Sequence, residues 1–210
     1  MAIPITREIV SPKTEEKIRE RVRRVSHIDR SDGISRIVTA NDADAMLEFF
    51  SLPEVSGPIY TIEKPVTRAS VAAHIERKSE AQVRGEGLLT AMFDEDGRVV
   101  SYMDHLIWPQ WSAAEFGGAM RPERQSAGQG RSGIVASIDW VFDALGINLL
   151  CFTASPDNHR SVRLIEAMGM RRMGEVESLS PNGQTRQSLV WEMTKAEWTA
   201  MKLKKPNTSA

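Results

Sequence analysis

A short stretch rich in glycine, serine and arginine has the composition of an anion-binding loop. Residues 121–133 read RPERQSAGQGRSG and lie between the apolar run Ala113–Met120 and a helical pattern that starts at Ile134. Gly128 and Gly130 allow a ligand to approach the backbone closely. The first turn of the following helix has unpaired N–H groups and the positive end of the helix dipole, a combination that binds phosphate or pyrophosphate. We therefore predict a strand–loop–helix unit that binds a phosphorylated ligand.

A second group of polar residues follows the next predicted strand. Residues 148–154, NLLCFTA, have the character of a buried strand, and residues 155–161, SPDNHRS, then open a helix that ends near 168–170. The glycine loop by itself is not specific, because it lacks the Lys-Ser/Thr end of a P-loop and the three glycines of a dinucleotide-binding fingerprint. The order of the two groups along the chain is the more informative signal.

Taken together, the two groups resemble the GNAT superfamily of acyl-CoA N-acyltransferases. Gln125, Gly128 and Gly130 match the Gln-x-x-Gly-x-Gly pattern of its pyrophosphate loop, and Asn158 and Ser161 match its second half-site. A serine rather than a tyrosine at position 161 is most similar to the RimJ/RimL-type branch, which includes N-terminal acetyltransferases of ribosomal proteins.

The resemblance implies that acetyl-CoA is the co-substrate, and it is specific over roughly residues 112–194. Backbone N–H groups of residues 126–131 would hold the pyrophosphate, and Asn158 would hydrogen-bond the pantetheine arm unless it only caps its helix. Gly117 and Gly118 suit either a splayed strand beside the pantetheine or close packing against a helix. The implied donor-binding residues are Met120, Gln125, Ser126, Ala127, Gly128, Gln129, Gly130, Arg131, Ser132 and Asn158.

Acyl transfer from a thioester to an amine requires a neutral amine, a polarised carbonyl and a protonated leaving thiolate. By resemblance, Ser161 approaches the sulfur and donates that proton, although a serine at a helix start can equally bond its own backbone. Glu115 and His105 are candidates for the general base, since a shielded carboxylate or an imidazole can accept a proton near neutrality. Glu177 is a third candidate, and a chain of water molecules is a fourth.

The leading hypothesis is an N-acetyltransferase that moves an acetyl group from acetyl-CoA to a primary amine, on a protein N-terminus or a small molecule, in a ternary complex. One alternative is a catalytically silent member of the same fold that binds CoA as a sensor or acts as a regulatory interaction protein. Another is a nucleotide-binding α/β module. The four histidines at 27, 74, 105 and 159 lack metal-ligand spacing, and a Gly-x-Ser-x-Gly elbow is absent, so we predict neither a metal centre nor a serine hydrolase.

Composition favours one globular domain that works in the cytoplasm. The chain has 210 residues, 41% of them hydrophobic, and a formal net charge of −1, so no global basic field attracts nucleic acid. The single cysteine, Cys151, lies in an apolar run and is expected to be a buried core residue. No apolar run approaches the ~20 residues of a membrane span, and no signal-peptide core is present.

The order of elements predicts an α/β (α+β) fold with a central mixed, mostly antiparallel twisted sheet of about six to seven strands flanked by helices. We expect residues 1–30 to be an N-terminal extension with an amphipathic helix over 13–30, residues 31–200 to be the GNAT-like domain, and residues 201–210 to be a polar tail. The amphipathic extension and the tryptophans, which are expected to be exposed, favour a homodimer. The acceptor amine cannot be identified from the loops over 52–66, 108–112 and 180–186.

Overall fold

The protein forms one eight-stranded sheet with helices on both faces. The computed structural model describes residues 4–30, 33–124, 129–179, 183 and 185–204; for residues 129–132 and 204 it describes the backbone alone. The order of the strands across the sheet is β1-β2-β3-β4-β5-β6-β8-β7, and neighbouring strands are antiparallel except for β5 and β6. The strands are β1 His27–Arg30, β2 Gly33–Ile37, β3 Gly87–Phe93, β4 Val99–Trp108, β5 Ala113–Met120, β6 Leu149–Ala154, β7 Arg171–Leu179 and β8 Thr185–Thr194.

The described residues form seven α-helices, which cover the two faces of this sheet. Short 3-10 turns precede α2, follow β4 and follow β5. The helices are α1 Pro12–Arg23, α2 Ala43–Phe50, α3 Pro53–Ser56, α4 Arg68–Arg84, α5 Gln129–Asp143, α6 His159–Ala167 and α7 Lys195–Lys204. Helix α4 begins where Thr67 Oγ1 accepts a hydrogen bond from the Ser70 amide at 3.1 Å, and it ends at Gly85, whose φ of 72° suits glycine.

The alternation of side chains along the strands divides the apolar core into two layers. One layer packs β4, β5, β6 and β8 against α1, α5, α6 and α7, with Phe142, Trp191 and Leu150 among its fully buried members. The other layer packs β3 and β4 against α2, α3 and α4, around Phe49, Phe50 and Tyr102. Cys151 is buried in the sheet, as its apolar run predicts.

The sequence prediction of a mixed, mostly antiparallel sheet with an additional N-terminal helix is confirmed. The predicted count of about six to seven strands is corrected to eight in the described residues. The predicted helix over 13–30 is wrong at its C-terminal end, because α1 stops at Arg23 and His27–Arg30 forms strand β1. Ile28 is the one buried residue of β1. At this edge of the sheet the residues of β1 pair with β2, and a helix continued to Arg30 could not make this pairing.

Two further corrections concern the C-terminal residues and the tryptophans. Residues 195–204 form helix α7, where sequence reasoning expected the chain to become a polar tail near Lys202. Trp198, which starts the apolar side of this helix, is 5% exposed, and its Nε1 donates to Asp139 on α5 at 2.6 Å. Trp191 is completely buried as well, so at least these two tryptophans offer no surface to a partner chain.

Candidate functional site

The sheet opens into a wedge between β5 and β6. The parallel pairing of these strands covers only Ala113–Glu115 with Leu149–Cys151, whereas β5 stays paired with β4 as far as Met120. In the described part of the chain, the edge of β5 from Phe116 to Ala119 that faces β6 therefore has no strand partner. Unpaired backbone amides at an open edge are suited to pair with an extended, amide-containing ligand.

A cavity of about 280 Å³ lies along this open edge, and we call it the edge cavity. It is bounded by Gly117, Gly118 and Met120 on β5, by Gly133 and Ile134 on α5, and by Asn158 and Ser161 at the start of α6. The first turn of α5 and the first turn of α6 thus stand on either side of the strand edge. The positive ends of two helix dipoles therefore face the same space.

A second cavity, of about 440 Å³, lies at the closed end of the wedge, and we call it the Glu115 cavity. Several lining residues are shared with the edge cavity, among them Phe116, Gly117, Thr153, Asn158 and Ser161. A ligand in one cavity can therefore meet a ligand in the other at this boundary. The Glu115 cavity is also lined by residues of the α3–α4 loop and of α4, β4 and β8, namely Tyr60, Thr61, His74, Arg77, Lys78, Asp104 and Arg186.

Glu115 is half-buried at the point where the two strands separate. Its Oε1 accepts a hydrogen bond from Thr153 Oγ1 at 2.6 Å, across the wedge from β6. Burial raises the pKa of the Glu115 carboxyl to about 7, and the charge of Asp104 acts in the same direction, while the Thr153 hydrogen bond opposes them. A carboxyl with this pKa is divided between its acid and base forms near neutrality, which suits a group that must accept a proton.

His105 is placed away from both cavities. Alternation along β4 turns Asp104 toward Gly117 and Glu115, and turns His105 to the other face of the sheet, where its ring lies 5.7 Å from the rings of Phe116 and Trp140. The side chain is completely buried, and within the described residues neither ring nitrogen has a hydrogen-bond partner. Burial lowers the pKa of His105 to about 4, so it stays neutral in the apolar layer. Glu177, the third candidate, is exposed on β7 and lines neither cavity.

Asn158 and Ser161 form the N-terminal cap of α6. Asn158 Oδ1 accepts a hydrogen bond from the Ser161 amide at 3.1 Å, so the capping role considered for this asparagine is present. Among the described residues the Asn158 amide nitrogen has no partner, and it remains available as a donor to a ligand. Ser161 is half-buried and lines both cavities.

The glycine-rich loop is only partly described. Gln125, Ser126, Ala127 and Gly128 lie outside the described residues, so their proposed contacts remain predictions. The backbone of Gln129, Gly130, Arg131 and Ser132 forms the first turn of α5, which starts five residues before the apolar pattern at Ile134 predicts. Their amides belong to the first turn of a helix, where N–H groups have no acceptor within the helix, and they lie beside Gly133 in the edge cavity.

Asp104 lines the Glu115 cavity and was not singled out by sequence reasoning. It forms an ion pair with Lys78, and His74 Nε2 lies 3.6 Å from its Oδ2. His74 is buried, and burial lowers its pKa. Strand alternation is the signal that could have identified Asp104. It places Asp104 on the same face of β4 as Leu106, and Leu106 pairs with Glu115.

Gly117 and Gly118 have different surroundings. A Cβ atom at Gly117 would meet nothing within 4 Å, because the residue borders the cavities, whereas a Cβ atom at Gly118 would collide with the Tyr102 carbonyl oxygen. The close contact at Gly118 is therefore with strand β4, and not with a helix as considered from the sequence. Gly117 leaves room for a ligand, and Gly118 allows β5 to lie close to β4.

The described residues contain no group of three or more His, Cys, Asp or Glu side chains that is placed to hold a metal ion. Among them, no helix has the length and apolar character needed to cross a bilayer.

Comparison with known families and structures gives a consistent result. Residues 34–171, more than half of the chain, match the Acetyltransferase (GNAT) domain family. No curated protein sequence gives a significant match. The ribosomal-protein-S5-alanine acetyltransferase of Vibrio fischeri is 16% identical, with a TM-score of 0.66 over 86% of this chain and 99% of that one.

Two further solved structures have the same fold. RimJ of Mycobacterium smegmatis, solved in complex with CoA-disulfide, is 18% identical, with a TM-score of 0.64 over 78% of this chain and 82% of that one. A GCN5-related N-acetyltransferase of Brucella melitensis is 20% identical, with a TM-score of 0.65 over 81% of this chain and 79% of that one.

Proposed function

Because the chain belongs to the GNAT acetyltransferase family, we propose that it is an N-acetyltransferase that transfers the acetyl group of acetyl-CoA to a primary amine by direct attack in a ternary complex. The observation that carries this proposal is the boundary between the two cavities. At that boundary a carboxyl group with a pKa near 7, an open strand edge and a serine at a helix start converge on one small volume.

The donor would occupy the edge cavity. Its pantetheine amides would pair with the edge of Phe116–Ala119 that faces β6, in the manner of an added strand, and the Asn158 amide would donate to the same arm. Its pyrophosphate would lie at the first turn of α5, where the N–H groups of Gln129–Ser132 have no acceptor within the helix, and the proposed contacts of Gln125–Gly128 would complete that site. The relative of M. smegmatis that was solved with CoA-disulfide supports a CoA site in this fold.

The acceptor amine would enter from the Glu115 cavity. A primary amine is largely protonated near neutrality, so it must lose a proton before it can attack. Glu115 in its carboxylate form takes this proton directly or through one water molecule, and Thr153 keeps the carboxylate oriented. We assign the base to Glu115 rather than to His105, because His105 lies on the opposite face of the sheet.

Attack of the neutral nitrogen on the thioester carbonyl forms a tetrahedral intermediate. Its collapse breaks the carbon–sulfur bond, leaves an amide on the acceptor and releases the CoA thiolate. Ser161 stands at the boundary of the cavities and would relay the second proton of the attacking nitrogen to the thiolate, giving up its hydroxyl proton and taking the one from the nitrogen, or would orient a water molecule that does so. The negative oxygen of the intermediate would lie near main-chain amides of the open β5 edge, which do not need to reorganise to stabilise it.

The proposal is tested by measuring release of free thiol from acetyl-CoA in the presence of a panel of primary amines. We expect amine-dependent release above the rate of hydrolysis, and a mass increase of one acetyl group on the acceptor. A protein that acetyl-CoA stabilises against heat, but that acetylates no amine in a panel of peptides and small molecules, would instead be a CoA-binding sensor. Stabilisation by ATP or NAD and not by CoA would indicate a nucleotide-binding module.

A further inference from the structure

The Glu115 cavity contains an arginine without a carboxylate partner. Arg186, near the start of β8, is half-buried and lines this cavity. Within the described residues, no carboxylate oxygen lies within 4 Å of its guanidinium, although arginines elsewhere in the chain are paired with acids. The paired arginines include Arg19, Arg36, Arg68, Arg98, Arg121 and Arg171.

Two contacts fix the position of the Arg186 side chain. The guanidinium carbon lies 3.5 Å from the centre of the Tyr60 ring, and Nε donates a hydrogen bond to Ser188 Oγ at 3.2 Å. The side chain of Tyr60 also interacts with the guanidinium through a hydrogen bond, and among the described residues none of these contacts is with a carboxylate. A planar, positively charged fork that is held in this way is suited to bind a carboxylate through two parallel hydrogen bonds.

The guanidinium points along the same face of the sheet as Glu115. Arg186, Ser188 and Val190 are on one side of β8, and Val190 pairs with Thr153, which donates to Glu115. The guanidinium folds back onto Ser188, two residues from Val190, and a strand advances about 3.4 Å per residue. An anion bound by Arg186 would therefore lie on the order of 7 Å from an amine at Glu115.

We propose that Arg186 is an acceptor-binding residue that recognises a carboxylate carried by the acceptor, several bonds away from the amine that is acetylated. This inference rests on the proposed acetyltransferase function and names the substrate class of that same site. The separation is too long for the two groups of a free α-amino acid bound in isolation. It fits an acidic side chain at the first position of a peptide, or a small amino acid whose amine and carboxylate are separated by a chain of methylene groups.

An alternative role for Arg186 would be to neutralise the charge of Glu115, with which its guanidinium interacts electrostatically across the cavity. The two roles predict different kinetics. A residue that only supports Glu115 affects every acceptor by the same factor, because all acceptors lose the same base. A residue that binds the acceptor's carboxylate affects only acceptors that carry one.

The experiment compares matched acceptors that differ only in charge. One pair is the dipeptide amides Glu-Ala-NH2 and Gln-Ala-NH2, and the other is 5-aminopentanoate and its amide. We expect wild-type kcat/KM to be about 10- to 100-fold higher for the acid in at least one pair, the range of a charge-assisted bidentate contact. Arg186→Gln should bring that ratio to about 1, and Arg186→Lys should retain part of it. The pair that shows the preference identifies the source of the carboxylate.

Arg163→Gln serves as the control variant, and Arg77→Gln tests whether another arginine of the Glu115 cavity binds the carboxylate instead. Arg163→Gln, an exposed arginine of α6 that lines neither cavity, should keep the wild-type ratio. Wild-type enzyme without a preference in either pair would overturn the inference. So would an Arg186→Gln enzyme that is slower by the same factor on both members of a pair, or loss of the preference in Arg77→Gln instead.

A binding measurement separates this inference from the proposed function. The N-acetylated forms of the Glu and Gln dipeptide amides need no chemistry, so their stabilisation of the CoA-bound protein against heat can be compared directly. Greater stabilisation by the acidic product in wild type, lost in Arg186→Gln, supports the carboxylate site even if no tested amine is acetylated. Equal stabilisation by the two products, with turnover of both amines, contradicts the site and leaves the acetyltransferase function standing.

Discussion

Replacing Glu115 by glutamine gives a prediction in which the structure fixes both the direction and the size of the effect. Burial raises the pKa of this carboxyl from its usual 4.5 to about 7. Each pKa unit corresponds to about 1.4 kcal/mol, so keeping Glu115 ionised in the folded state costs at most about 3 kcal/mol. The glutamine variant preserves the shape of the side chain and an oxygen that can accept from Thr153, but it carries no charge.

The folded-state pKa lies above the unfolded one, so the stability linked to Glu115 is fully present below about pH 4.5. It is lost as the pH rises through about 7, because the unfolded chain releases the proton first. We expect Glu115→Gln to gain up to about 3 kcal/mol of unfolding free energy over wild type between pH 4.5 and pH 8. Urea denaturation at a series of pH values measures this difference.

The same titration governs catalysis in the opposite direction. In the wild-type enzyme, kcat/KM should rise about tenfold per pH unit below pH 7 and level off above it, as Glu115 becomes a carboxylate. Glu115→Gln should be about 100-fold slower or more near pH 7.5 and should recover at high pH, where the free amine is abundant. Wild-type and variant enzymes with the same pH–rate profile and the same pH–stability profile would refute the assignment of Glu115 as the base.

The other substitutions test the wedge, the half-site and the scaffold. Gly117→Val should fold normally, because a Cβ atom there meets nothing within 4 Å. It should nevertheless reduce kcat/KM at least about tenfold, because the valine fills the boundary of the cavities. Gly118→Ala should instead lower the melting temperature, since its Cβ atom collides with the Tyr102 carbonyl oxygen. Asn158→Ala should raise the KM for acetyl-CoA, whereas Ser161→Ala should lower kcat more than it changes KM, and identical kinetics for the two would contradict their separate roles. Asp42 has a pKa lowered to about 2, chiefly by its hydrogen bonds with Arg36, so its stabilisation is present above about pH 4 and is lost as the pH falls toward 2. Asp42→Asn should therefore cost about 2 kcal/mol at pH 7 and nothing near pH 2 in denaturation measurements.

The elements of this fold that the sequence predicts well are those whose local signals agree with their tertiary surroundings. Strand β5 has the predicted bounds Ala113–Met120. Strand β1 and helix α7 were missed, because β1 depends on pairing with β2 and α7 on burial of Trp198 against α5. These are long-range interactions, and local periodicity does not report them.

The residues of the candidate site also differ in whether the sequence predicts them. Glu115, Asn158 and Ser161 lie in segments with recognisable patterns. In the structure Asn158 and Ser161 line both cavities, and Glu115 lines the Glu115 cavity next to them, bonded to Thr153. The relation of Asp104 to Glu115 depends on the register between β4 and β5, and Arg186 comes from a strand that is distant in sequence.

A similar limit applies at the N-terminus, where the backbone amide of Thr6 and its hydroxyl group donate to the completely buried carboxylate of Glu192. No spacing rule joins residues so far apart. His105 shows the reverse error, since its chemistry suggests a base, but strand alternation places it in the core.

The most direct test of the central claim is a crystal structure of the protein with CoA bound. We predict that the pantetheine arm lies between β5 and β6, with its amides paired to the edge of Phe116–Ala119 that faces β6 and its sulfur within hydrogen-bonding distance of the Ser161 hydroxyl. The Glu115 carboxyl should face the space beyond the sulfur. A CoA molecule bound elsewhere, with the wedge empty or closed by strand pairing, would contradict the account of how this chain transfers an acetyl group.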